Sequence, residues 1–254
     1  MTDLRTGLLA AALLFATFGA DAHARPAAPA AAPAPAPAPR PYKGEALARL
    51  VSSSDGILDL EVVTARRAFF EASRQDADMA AAERQYPGLV DAIWKALEPE
   101  LRRASAEDSP KLAKRLAAIY DSNLTASEQD ALLVFYSSPT GQKMIHDLYA
   151  GVDGTPVVVA AMRNPDAPVS AEAFAALNES GKRSAVRALD ASDQPALAAL
   201  GRSLDLDKLG AIGEQVQRTT MEWVNEPDPE GDARMEKIVE AAVKRHIAGA
   251  GKRR

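Results

Sequence analysis

From Leu47 onward, apolar residues recur every three or four positions, and charged residues fill the gaps between them. That spacing is the stripe of a helix lying on a core, not the alternation of a strand. Leu47, Leu50 and Val51 predict a short first helix, closed by Asp55-Gly56. A second is predicted from Ile57 to Arg74, carrying Phe69 and Phe70 near its end, and a third from Asp76 to the break at Tyr86-Pro87-Gly88. Leu89, Val90, Ile93, Trp94, Leu97 and Leu101 form the strongest stripe in the chain. Pro99 lies inside it, and a missing N–H there predicts a kink or a split. Ser109-Pro110 reads as a cap with proline in the first turn, so a new helix bearing Leu112, Leu116, Ile119 and Tyr120 is predicted to start there.

The segment LTASEQDALLVFYSSPTGQKMI, Leu124 to Ile145, is the most structured in its signals. Thr125 and Glu128 have the spacing of a capping box, in which each side chain satisfies the other's backbone amide. Ala131, Leu132 and Phe135 continue a buried face. Ser138-Pro139 repeats the cap-and-proline device and predicts a second helix with Met144, Ile145 and Leu148 inward. Gly141 falls in its first turn, where a missing side chain permits close approach. Two helices joined by almost no loop are therefore expected.

Further on, Thr155-Pro156, Ser170 and Ser192 each read as helix caps, with a break at Ser180-Gly181. Leu209, Ile212, Val216 and Trp223 predict a long helix, Glu226-Pro227-Asp228-Pro229 a turn, and a final helix is predicted to carry Met235, Ile238, Val239, Ala242 and Val243. Val157-Val158-Val159 is the one short β-branched run. The expected fold is all-α, an irregular multi-helix bundle of short antiparallel helices with repeated helical pairs. The repeat is visible in the letters: LTASEQDALLVF from Leu124 aligns without gaps to LDASDQPALAAL from Leu189, six of twelve positions being identical. A looser copy is suggested at Ser170, Phe174, Leu177, Ser180 and Gly181.

The first 42 residues change the picture by subtraction. Residues 1–24 read as a secretory signal peptide: Arg5, an apolar run from Leu8 to Phe18, and Ala22-His23-Ala24 before the expected cut. The run is too short to span a bilayer, so no stable membrane anchor is expected after cleavage. Residues 25–42 are a Pro/Ala-rich linker favouring extended polyproline II. A helical domain is expected over 43–150, and a C-terminal helical region over 151–254, a degenerate repeat of the first. A periplasmic or secreted location follows from the leader. The chain has no cysteine, which excludes disulfides and a lipid attached to an N-terminal cysteine. Net charge is −5 with both signs interspersed, so nucleic acid is not an expected partner. The basic end Lys252-Arg253-Arg254 reads as a solvated tail.

Candidate chemistry is sparse. Only His146 and His246 lie beyond the leader, with no HExxH and no calcium loop, so neither a metal nor any other cofactor is predicted. Ser137, Ser138, His146 and Asp147 suggest a hydrolase, but no GxSxG elbow exists and His146 is two turns from Ser138. Glu98 and Glu100 flank Pro99 without the opposed geometry of a glycosidase pair. Gly151-Val152-Asp153-Gly154 lacks the strand and lysine of a phosphate loop. Tyr136, Gln142 and Lys143 are not required by helix mechanics and are the candidate binding residues.

The run FYSSPTGQKM, Phe135 to Met144, resembles the signature of a bacterial exported family, domain of unknown function 2059. Leu97-Glu98-Pro99-Glu100-Leu101, Ile119-Tyr120 and Leu124-Thr125 resemble its lead-in, and the likeness spans about Ala92 to Leu148. The resemblance implies a small α-helical, signal-bearing envelope protein with no assigned activity and no catalytic residues to carry over. The leading expectation is a non-enzymatic binding or structural protein of the envelope, its partner another envelope protein or a second copy. The alternatives are a hydrolase acting on cell-wall or lipid material and a periplasmic chaperone for a small ligand or lipid.

Overall fold

The computed structural model describes residues 43–52, 56–164 and 167–251. The signal peptide, the Pro/Ala linker, Asp55, Pro165 and the basic tail lie outside the described residues. Everything described is helix and short connection, with no strand among the described residues. The helices are α1 Gly44–Ser52, α2 Ile57–Gln75, α3 Ala77–Gln85, α4 Leu89–Asn123, α5 Ala126–Ser137, α6 Pro139–Ala150, α7 Thr155–Arg163, α8 Ala171–Ala188, α9 Gln194–Ser203, α10 Leu206–Val224 and α11 Pro229–Gly251. One 3-10 turn, Ala191–Asp193, leads into α9.

The spine is α4, which the two prolines do not divide. It runs 35 residues through both Pro99 and Pro110, about 50 Å at 1.5 Å per residue. Ser109 does not cap a new helix: its hydroxyl donates to the Ser105 carbonyl at 2.7 Å, inside a continuing turn. The reason is burial on both sides of each proline. Leu97, Leu101 and Ala104 before the second proline, and Leu112, Ala113 and Leu116 after it, lie in one unbroken buried line. An interior proline costs about 3 kcal/mol, whereas each buried leucine contributes roughly 1.5–3 kcal/mol, so packing outweighs propensity.

Three clusters share the core. Around the C-terminal half of α4, residues such as Leu47, Leu112, Leu116, Leu132, Ile145 and Ile212 join α1, α5, α6 and α10. Around its N-terminal half, Phe69, Trp94, Leu97, Val158 and Met235 join α2, α7 and α11. A smaller cluster of Val152, Val157, Phe174, Leu177 and Val224 closes the space beneath α8.

Other caps depart from the expectation for local reasons. At α7 Thr155 is not the cap; its amide donates to Asp153 Oδ1 at 3.1 Å. Ser170 caps α8 as expected, accepting from Ala173 N. The helix does not break at Ser180-Gly181, because buried Gly181 is where α8 crosses the Leu148 carbonyl; an added Cβ would lie 2.9 Å from that oxygen. Ser192 sits inside the 3-10 turn, and the cap is a reciprocal Asp190–Asp193 box. No helix among the described residues is long and apolar enough to cross a membrane.

Candidate functional site

Helix α5 is pinned at both ends. Thr125 accepts from Glu128 N at 3.3 Å while Glu128 Oε2 takes the Thr125 amide at 2.7 Å. Lys208 of α10 also donates to that carboxylate at 2.6 Å. Burial alone would raise the Glu128 carboxyl, but Lys208 and the bonds at Thr125 hold it below its ordinary value. At the other end of α5, Ser138 is the whole connection. Its oxygen accepts from Gly141 N at 3.2 Å and its hydroxyl donates to the Phe135 carbonyl at 2.6 Å, with Pro139 at the first position of α6. A Cβ on Gly141 would fall 2.1 Å from the Phe135 oxygen, so the corner needs glycine there.

The three candidate binding residues separate. Gln142 turns back, its Nε2 donating to the Tyr136 carbonyl at 2.5 Å. Lys143 reaches across to the box that caps the 3-10 turn before α9 and donates to Asp193 Oδ2 and Asp190 Oδ2, each at 3.0 Å. Asp193 also accepts the Thr140 hydroxyl at 2.8 Å and the Asp190 amide at 3.0 Å. Ser192 and Lys143 hold the Asp190 carboxyl down at about 2. Of the trio, Tyr136 lines a cavity.

That cavity has a volume of about 350 Å³. Leu124, Leu132, Phe135, Tyr136 and Met144 line one side of it, and Tyr120 adds a second phenol. Leu189, Leu197, Leu200, Gly201 and Leu209 line the other. Small-molecule sites are typically about 300–1,000 Å³, mostly apolar, with a few placed polar groups. Here those groups are the two phenols. Neither hydroxyl has a hydrogen-bond partner among the described residues, although Phe135 and Tyr136 meet edge to face with centroids 5.3 Å apart. Burial pushes the Tyr136 phenol up to about 12. Burial, with Tyr136 nearby, raises Tyr120 as well. Both are therefore neutral hydrogen-bond donors at any physiological pH. Among the described residues, neither a cation nor a carboxylate lines the cavity. Sequence reasoning placed Tyr120 in the core and did not assign it to a site; an unpartnered hydroxyl is a tertiary fact with no local signal.

The other candidate chemistry is spoken for. His146 is exposed and its Nδ1 lies 3.2 Å from Asp147 Oδ1, while Ser138 is occupied as a cap. Glu98 accepts from Trp94 Nε1 at 3.2 Å and Arg102 Nε at 3.1 Å, and Glu100 holds Arg103 and Arg234. No group of three potential metal ligands occurs among the described residues. A second cavity of about 510 Å³ lies among α2, α3, α7 and α11, against Phe69, Met79, Met162, Met235 and Val239. It presents Asp76, Asp78 and Glu236 rather than a neutral donor. A shallow cleft beside Arg66, Arg67 and Arg74 is basic, but Arg67 donates to the Val152 carbonyl, Arg66 stacks 5.0 Å from the Phe70 centroid, and Arg74 pairs with Glu71.

A family model described as an uncharacterized protein conserved in bacteria (DUF2059) matches residues 110–150. The chain resembles that family over the end of α4, all of α5 and all of α6. The match starts at Pro110 rather than near Ala92, so the proline-containing turn at Leu97–Leu101 lies outside it. Neither the curated proteins nor the solved structures contain a match to the chain.

Proposed function

We propose that this protein is an exported, non-enzymatic binding protein that holds a small, largely apolar ligand between α5, α9 and α10. The observation that carries the reading is the cavity at Tyr136: lined by leucines, large enough for a small molecule, and equipped with two phenols that no described protein group satisfies. The phenol oxygens open on the cavity rather than into packed protein, so a ligand oxygen at that end can take the place of water on both donors. The cavity lies against the segment that resembles the bacterial family, whereas the methionine-lined cavity lies outside it.

Export rests on the reading of residues 1–24 as a cleaved leader and places the protein in the periplasm or outside the cell. A hydrolase would need a free nucleophile next to a base. Ser138, the serine the sequence offered, instead spends its lone pair and its proton on the α5–α6 corner.

The test is a thermal-shift screen of the chain from Arg25 onward against single-chain alcohols, esters, fatty acids and cell-wall fragments. A ligand that binds only the folded state stabilises it by mass action, by about 2.7 kcal/mol at one hundred times its dissociation constant, and so raises the midpoint. At least one apolar-chain compound is expected to do so. If nothing in the panel moves the midpoint and the purified protein yields no co-extracted small molecule, the reading is wrong.

A further inference from the structure

The twelve-residue echo extends well beyond twelve residues once the contacts are laid on it. Adding 65, the step from Leu124 to Leu189, maps the matched segment 110–150 onto 175–215. The capping box Thr125–Glu128 falls on the capping box Asp190–Asp193. Lys143 falls on Lys208, and the two lysines do the same thing reciprocally. Lys143 donates to the Asp190–Asp193 box, and Lys208 donates to Glu128 of the other box.

Helix packing follows the same exchange. The end of α4 with α5 and α6 corresponds to α8, α9 and α10; α6 packs on α8, α10 packs on α4, and α5 packs on α9. Alanine-rich helices can match by chance. Reciprocal ion pairs and reciprocal helix contacts at one fixed offset do not follow from composition.

The cavity sits on this relation. Leu124, Leu132 and Phe135 line it from one side, and their images Leu189, Leu197 and Leu200 from the other. The two tyrosines that line the cavity have no counterpart in the second copy: Tyr136 falls on Gly201 and Tyr120 on Ala185. A Cβ built on Gly201 meets nothing within 4 Å, so space lies open where a symmetric pair would place a ring.

We infer that residues 175–215 are a second, diverged copy of the matched unit, packed on the first about a pseudo-two-fold. We infer further that the cavity lies where this copy lacks the tyrosines, and that it takes a neutral single-chain amphiphile. The ligand's oxygen head accepts from Tyr120 and Tyr136, and its chain runs along Leu197 and Leu200 towards Gly201. The head is neutral because, among the described residues, neither a cation nor a carboxylate lines the cavity to offset a buried charge. The ligand part of the inference rests on the cavity-binding reading above; the repeat does not.

Octanol, octane and octylammonium are titrated into the full chain and into three variants: Gly201→Ala, Gly201→Tyr and the double Tyr120→Phe/Tyr136→Phe. Octanol is expected to bind about tenfold more tightly than octane, as one hydrogen bond to a buried group allows, and octylammonium not at all. The double phenylalanine variant brings octanol down to the octane value and leaves octane unchanged. Gly201→Tyr is expected to melt above Gly201→Ala, which controls for helix propensity, and to lose the response to octanol. Equal binding of octanol and octane, or tighter binding of octylammonium, overturns the head-group assignment while leaving cavity binding intact. If Gly201→Tyr melts below Gly201→Ala and still binds octanol, the cavity is not at the vacated symmetric position and the repeat-based account fails. If neither octane nor octanol binds the unaltered chain, cavity binding fails with it.

Discussion

Glu61 shows how much of a residue's chemistry depends on its surroundings. It is buried in α2 with one carboxyl oxygen on the Ser105 hydroxyl at 2.7 Å and the other without a hydrogen-bond partner. Burial outweighs the serine bond and lifts its carboxyl to about 8. The folded chain thus keeps a proton that the unfolded chain releases near a pH of about 4.3. Stability is complete below that value and is lost as pH climbs towards 8, by an amount on the order of a few kcal/mol. Glu61→Gln is expected to flatten that decline. Urea midpoints at pH 5 and pH 8.5 measure it; parallel declines in both proteins would show that Glu61 is not the titrating group. Nothing in the sequence around Glu61 signals its burial. Thr125, Ser138 and Gly141, by contrast, were legible because a cap or a close crossing is settled within four residues. Ser109, Thr155 and Ser192 carry the same letters and failed. Asp153 takes the Thr155 amide and Asp190 the Ser192 amide, while Ser109 sits inside a helix that packing keeps continuous.

Among the elements, α4 and α8 were the two whose limits the sequence reading misplaced, in both cases because tertiary contact overrode a local breaker. In α4, leucines buried on both sides of Pro99 and Pro110 keep one helix where propensity predicts a kink or two. In α8, Gly181 is a crossing point and not a terminus. The two effects give Gly181→Ala a definite sign. Propensity alone would favour alanine by about 1 kcal/mol. The new Cβ, however, would press on the Leu148 backbone oxygen 2.9 Å away, and overpacking of that kind costs roughly 1–3 kcal/mol. The variant is therefore expected to unfold at lower denaturant with an unchanged m-value. A stabilised variant would mean that α6 and α8 do not cross where described.

At the scale of the whole molecule, the all-α class and most helix limits were readable from the 3.6-residue period, because a stripe needs only a core to face. Which stripe faces which was not. The assembly of α4, α5 and α6 against α8, α9 and α10 depends on Lys143, Lys208 and the paired leucines meeting across more than 40 residues of chain. The letters showed twelve residues of that relation and no cavity. Tyr136 was legible as a residue without a mechanical duty; Gln142 and Lys143 looked equally unemployed until their bonds to Tyr136 and to Asp190 and Asp193 appeared. The central claim is that the Tyr136 cavity is the binding site. Intermolecular NOEs from bound octanol to the side chains of the full protein test it most directly. The account predicts contacts from the methylene protons to the Leu197 and Leu200 methyls and from the carbinol protons to the Tyr136 ring. Contacts to Met79, Met162 and Met235 instead, or none at all at saturating octanol, would contradict it.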